Sequence, residues 1–428
     1  MSRKFSVAVF SSLMLCFGAD PLSRSSTAWA ASPDGCGSEF VEAVVFLRLS
    51  AHPVCPPAIN VHGVPLKTDY LFGAESLGRL RHFCRVSLEN PSDAWPLLSD
   101  VLAQIPNGES IGPNFAALSG QGQLEDAVSA ERRVAFHHRA GTANLSILPP
   151  PAKIPTIAMI DSAPTSDHPT WTQSYPHPAD HGLTLARIAE ELICVDGDPN
   201  NAYNGQCWGQ VRPHQALRFG SSFKPGRTHG SLGDLAAAIH DAALAAPEGI
   251  INISIAWSNP CMGGERGDIT ASETPAAAAV HEALQYARCQ DMAIFAAAGN
   301  ELGTIGSRYE AGMMYPAQWA ESFDAPSPTQ CSHEFSVSGA HAGSLRLVTA
   351  VGGVHDAMPL ALARPDGEPR LVAEGHNGVA LLKPSDPLQT TLLLSGTSVS
   401  TMVVSAATAI AAAATAMPPI QLETICTG

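Results

Sequence analysis

Basic residues are scarce in this sequence. Lysine and arginine number 24 against 39 aspartates and glutamates, a formal net charge of −15 over 428 residues. A chain with that deficit repels phosphate backbones, which argues against nucleic acid as a partner. Charge of either sign is thin, at 15% of residues against 45% hydrophobic. At this length such a balance buries a large core, read here as one big domain with a smaller one beside it. No Cys-x-x-Cys pair occurs among the ten cysteines, so the usual spacing of a zinc site is missing.

The N-terminus has no run long enough for a comfortable membrane span, since its apolar stretch covers only Phe5 to Ala19. With Arg3 and Lys4 before it and Ala28-Trp29-Ala30 as a small-x-small cleavage site, residues 1–30 read as a secretory signal, and the protein as secreted or periplasmic. An uncleaved anchor is the alternative. Cleavage removes three basic residues and one acid, moving the net charge from −15 to −17, and leaves nine cysteines. Export permits disulfides, and an odd count leaves at least one thiol free or paired with another molecule. Cys194 and Cys207 flank a polar loop, Asp196 to Gln206, with little apolar material of its own, and are expected to pair.

Residues 31–145 carry Cys36, Cys55 and Cys84, strand-like pieces such as Val41 to Leu49 and a helical pattern from Trp95 to Ile105, and form a small folded region. Leu148-Pro149-Pro150-Pro151 cannot be helix or donate to a ladder, so it is a linker or an extended lead-in. Residues 146–428 then alternate strand and helix patterns, which predicts a doubly wound, mostly parallel α/β sheet flanked by helices.

Thr156 to Asp161 is a short apolar run ending in an acid, a buried parallel strand with its carboxylate at the edge where α/β folds bind ligands. Asp161 as a plain turn cap is the equal alternative. His181 would sit in the first turn of the next helix, with His229-Gly230 as a competitor, while His168 and His177 precede proline and read as loop residues. Gly249 to Ala256 and Met292 to Ala298 are further apolar strands, the second running into Gly299-Asn300. Ser395-Gly396-Thr397-Ser398 delivers a serine to the first turn of an uncharged helix, where unpaired N–H groups favour negative charge. Alone it is a common capping sequence. Four such stretches in the order acid, histidine, amide, serine carry more weight than any one.

Together they resemble the subtilisin-like serine proteases over roughly residues 150–428. Ile160-Asp161-Ser162, His181-Gly182, Ala297-Ala298-Gly299-Asn300-Glu301 and Gly396-Thr397-Ser398 look like the family's aspartate strand, histidine helix, oxyanion segment and nucleophile, and Tyr315-Pro316-Ala317 like a loop that follows the asparagine. The resemblance implies a serine endopeptidase with Asp161, His181 and Ser398 as catalytic residues and Asn300 in the oxyanion hole. It further implies that Ser254, Ile255 and Ala256 pair with an extended substrate, and that Ala297, Ala298 and Gly299 line a pocket for the residue before the cut. Protein or peptide is then the substrate, and no cofactor is required. The sequence departs from the family pattern at Ala163, Leu183, Leu185, Arg187 and Met402, which touches the helix starts rather than any reacting group.

Other readings stay open. A subtilase-like fold could serve as a binding or inhibitory module, whereas an esterase lacks support because no Gly-x-Ser-x-Gly elbow surrounds Ser398. Asp196, Asp198 and Asn200 have the alternation of a calcium loop, but Cys207 stands where a twelfth-position Glu would close it, so a solvated turn is favoured. The uncharged run Thr390 to Pro419 could be misread as a membrane span. Its Ala, Ser and Thr content suits a close-packed buried helix, and no stable membrane insertion is expected. Residues 31–145 are expected either to occupy the substrate cleft until cut away or to remain as an accessory domain.

Overall fold

The computed structural model describes residues 15–16, 42–47, 53–88, 94–114, 116–119, 136, 140, 151, 153–162, 180–194, 206–219, 228–257, 274–300, 312–338, 345–356, 358–359, 369–380 and 392–427. His168, His177, Asp196, Asp198 and Asn200 lie outside the described residues.

The N-terminal region is an antiparallel sheet with one helix. β1 (Glu42–Leu47) is buried along nearly its whole length, whereas β2 (Ala58–Val61) and β3 (Val64–Tyr70) alternate exposed and buried positions. With β4 (Phe83–Ser87) and β5 (Gly108–Pro113), which α1 (Ala94–Gln104) precedes, they take the order β2-β3-β4-β1-β5. Alternation divides β1 between two cores: Val45 and Leu47 pack with Val61, Val86, Leu98 and Val101, while Val44 and Phe46 join the core of the larger domain. A Cys55–Cys84 disulfide ties the approach to β2 to β4.

The larger domain is built on β7 (Thr156–Asp161), β8 (Gln210–Gln215), β11 (Ile250–Ile253), β13 (Ala293–Ala297), β14 (Thr349–His355) and β15 (Leu371–Glu374). Between the two regions runs β6 (Ala116–Ser119), and short strands β9 (Arg218–Phe219), β10 (Thr228–Ser231) and β12 (Ile255–Ala256) lie off the main sheet. The central order is β15-β14-β13-β11-β7-β8, with every neighbouring pair in that path parallel. From β7 the chain adds β8 on one side and then crosses to add β11 on the other, so strand order reverses beside β7. In such sheets that reversal opens the ligand crevice at the strands' C-terminal ends. Leu15–Cys16, within the apolar N-terminal run, pairs antiparallel on the outer edge of β15.

Helices cover both faces. α2 (Asp180–Ile193) and α6 (Thr397–Thr415) pack with Ile157, Met159 and Phe295 on one side, and α3 (Leu232–Ala245) and α4 (Pro275–Cys289) with Ile251, Ile253 and Ile294 on the other. Burial on both faces explains why these strands read as unbroken apolar runs. α5 (Pro328–Phe335) is held to α4 by a Cys289–Cys331 disulfide, and Cys194 pairs with Cys207 as the sequence predicts. α6 is long and apolar enough to cross a membrane, yet 89% of its most apolar window is buried inside the protein. Thr401, Ser405 and Thr408 each donate to the carbonyl four residues back, and Ser405 Oγ also accepts from Asn252 Nδ2 of β11 at 3.1 Å. Its small side chains let it lie close on the sheet.

The stretch Gly249 to Ala256, read from sequence as one strand, is two. β11 ends at Ile253 in the central sheet, Ser254 turns its hydroxyl back to Asn252 Oδ1 at 3.1 Å, and β12 pairs elsewhere. At the sheet's C-terminal edge the backbone leaves its ladder, which frees it for another partner.

Candidate active site

Three strand ends and two helix starts converge on the crevice. β7 ends in Asp161, which is fully buried. A buried carboxylate survives only with donors around it: Ser162 N–H donates to Oδ1 at 2.6 Å, Ser162 Oγ at 3.0 Å, and His181 Nδ1 lies 3.0 Å from each carboxylate oxygen. Ser162 Oγ in turn accepts from Gly182 N–H at 3.0 Å, so one hydroxyl links the strand end to the first turn of α2. The arrangement fixes the imidazole by Nδ1 and leaves Nε2 toward the crevice, with the side chain only 10% exposed.

Of the two competing histidines, His181 therefore meets the acid. His229 lies inside β10, paired with Arg218 and Leu118, and the helix after it is capped by Ser231, whose side chain and Asp234 form a capping box. Sequence spacing alone could not separate them, because each stands beside a glycine at a helix start.

The serine arrives as predicted, in the first turn of α6. Gly396 precedes the helix with φ 145°, a conformation that L side chains rarely adopt, and a Cβ there would lie 2.5 Å from Asn300 Nδ2. Asn300 itself is oriented by Thr397, whose N–H and Oγ1 donate to Oδ1 at 2.9 and 3.1 Å. With Oδ1 so engaged, Nδ2 is the group left facing the turn before Ser398. Thr397 Oγ1 also accepts from Gly299 N–H at 3.2 Å. Among the described residues no hydrogen bond joins His181 to Ser398. Such bonds are often long before a substrate is present. Thr397 and Ser162 are positioning groups that the sequence reading missed; each is adjacent to a residue it singled out, but neither residue type signals its role.

Ser254, Ile255 and Ala256 form one side of a groove already filled. β6, from the N-terminal region, pairs antiparallel with β12, Ser119 opposite Ile255 and Leu118 opposite Ala256. On its other edge β6 pairs antiparallel with β10, His229 opposite Leu118 and Ser231 opposite Ala116. Ala297 closes β13, and Ala298 and then Gly299, at φ 104°, follow it.

The chain is similar to known proteins. The subtilase family model, Peptidase_S8, matches residues 161–425. Among solved structures, the epidermin leader peptide processing serine protease EpiP from Staphylococcus aureus aligns at 13% identity with a TM-score of 0.48, over 90% of this chain and 92% of its own. The prenylagaramide maturation protease PagA aligns at 19% identity and TM-score 0.37 over 68% and 86%, and the patellamide maturation protease PatA at 21% and 0.36 over 63% and 84%. No curated protein sequence matches the chain. The match spans well over half of the chain and runs from the strand-end acid through the serine helix, and on that ground the chain belongs to the subtilase family of serine-type endopeptidases.

Proposed function

We propose that the protein is an exported serine endopeptidase that cleaves protein or peptide substrates through Asp161, His181 and Ser398. Ser398 Oγ attacks the peptide carbonyl carbon while His181 Nε2 takes its proton, and the same proton passes to the leaving amine as the C–N bond breaks. Asp161 holds Nδ1–H and stabilises the imidazolium. Asn300 Nδ2 and the N–H of Ser398 donate to the oxyanion. Water then enters, His181 again acting as base, and hydrolyses the acyl ester. No cofactor takes part. The observation that carries this reading is the carboxylate of Asp161 cupping His181 Nδ1 at 3.0 Å on the sheet edge where α6 begins. The test is labelling with a fluorophosphonate probe beside casein digestion: labelled, active protein that Ser398→Ala silences is the expected result, and unlabelled, inactive wild type rejects it.

We further infer that residues 31–145 are a prosegment. The support is β6, which takes the position between β10 and β12 that a substrate strand would take. The region also meets the two helices behind the groove through charged side chains, Arg79 lying 2.7 Å from Glu282 and Arg85 3.2 Å from Asp234. Asn114 Oδ1 accepts from Gly233 N–H at 2.8 Å in the first turn of α3. A second reading, a subtilase-fold binding module that keeps its N-terminal domain, draws on the Cys55–Cys84 bond, since a disposable segment has less need of one. It predicts an unlabelled, uncut protein.

A further inference from the structure

The proposed endopeptidase needs a pocket beside Ser398 for the side chain preceding the cut, between the wall Ser254–Ala256 and the wall Ala297–Gly299. The base of that space is built by one dipeptide. Met314 N–H donates to Ala298 O at 2.8 Å, and Tyr315 exchanges two backbone hydrogen bonds with Trp257, at 2.9 and 3.0 Å, so the segment bridges both walls. The rings of Trp257 and Tyr315 stack with centroids 5.8 Å apart, and Trp319 meets both, which makes the base rigid.

Gly299 decides how deep the pocket runs. A glycine in this wall removes a side chain and leaves room for one from the substrate. That room is taken: a Cβ built on Gly299 would stand 2.5 Å from Met314 Cγ, 2.6 Å from Sδ and 3.0 Å from Cβ. Met314 is 8% exposed, so its thioether is packed rather than swung into solvent.

We infer that Met314 fills the pocket for the residue before the scissile bond and restricts that residue to Gly, Ala or Ser. A methionine is unbranched and yields more readily than leucine, so the restriction is graded, with Val and Thr disfavoured and Leu, Phe and Tyr excluded. The strand in the groove, β6, reads Ala116-Ala117-Leu118-Ser119. It runs antiparallel to β12, with Leu118 opposite Ala256 and Ser119 opposite Ile255, so its last described residue, nearest Ser254, is the small Ser119.

This inference rests on the endopeptidase reading, and one experiment separates the two. Matured protein is assayed with quenched-fluorescent peptides that share Ala-Leu-Ser and differ only in the next residue, before the cut. The expected wild-type result is kcat/KM at least tenfold higher for Gly, Ala and Ser than for Leu or Phe. Met314→Gly and Met314→Ala should raise the ratio of kcat/KM for the Phe peptide to that for the Ala peptide at least tenfold. A labelled, active wild type that prefers Leu or Phe overturns the inference and leaves the endopeptidase reading standing. Labelled, folded variants with the wild-type profile overturn it equally. Should neither variant fold, the wild-type profile alone decides. Protein that takes no probe and cuts no peptide overturns both readings.

Discussion

Single side chains at the crevice carry the most direct tests. Ser398→Ala is expected to abolish labelling and proteolysis, and His181→Ala to do nearly as much damage, while His229→Ala does little because His229 belongs to β10. Equal loss from His229→Ala, with His181→Ala active, would reverse the assignment. Asn300→Ala should lower kcat by about a hundred to a thousandfold, a magnitude carried over from subtilisin, with KM changing less. Steady-state kinetics on one peptide checks it; a raised KM at unchanged kcat would make Asn300 a ground-state binding group instead. Asp161, His181, Asn300 and Ser398 were legible in the sequence because each closes a strand or opens a helix whose apolar pattern is plain. Met314 was not. Its part depends on lying against Gly299, fifteen positions earlier, and no local pattern encodes that meeting.

At the level of elements, the sequence disclosed β7, β11, β13, α2 and α6 because burial on both faces leaves long apolar runs. It could not disclose what fastens them. α7 (Pro419–Thr427) is tied into the fold by a buried pair, Arg288 donating from Nη1 and Nη2 to both oxygens of Glu423 at 2.7 Å, both side chains fully buried. Arg288 also donates to the carbonyls of Leu347 and Met292, both at 2.9 Å. Removing one partner strands the other charge out of water, so Glu423→Ala is expected to cost about 3–5 kcal/mol. Chemical denaturation of the Ser398→Ala background, which prevents self-digestion from confusing the reading, measures it. A loss below about 1 kcal/mol would mean that α7 is dispensable. The two residues are 135 positions apart, and an arginine and a glutamate at such a distance look in sequence like two surface charges.

Across the whole molecule the question is what becomes of residues 31–145. Intact mass and N-terminal sequencing should find active wild type shortened to a start near residues 110–155 and Ser398→Ala unshortened; active protein beginning near Ala31 would make the region a permanent domain. Its docking also has a pH signature. Burial pushes the Glu282 carboxyl up to about 7 against the opposing pull of Arg79, and Glu334 adds to the rise. A raised carboxyl pKa stabilises the fold fully below about 4.5 and loses that contribution as pH rises through 7. Glu282→Gln mimics the protonated form, so its denaturation midpoint in the uncut Ser398→Ala protein should track the parent near pH 4.5 and gain on it by pH 8. Parallel profiles would refute the assignment. The comparison isolates this carboxyl from His214 and His281, whose pKa values burial lowers to about 4 and which weaken the fold toward acid. β6 itself went unrecognised in the sequence, since Ala-Ala-Leu-Ser has neither the alternation nor the length of a strand and takes its conformation from two neighbours. Among the described residues, β12 has no other ladder partner, and β10 has only the two-residue β9. The borrowed strand is thus a weld between two strands that no other ladder joins. Were it removed, as the proposed maturation has it, the seam would stay open until another extended backbone spanned it, so a saturating peptide inhibitor should raise the melting temperature of the shortened protein with its concentration.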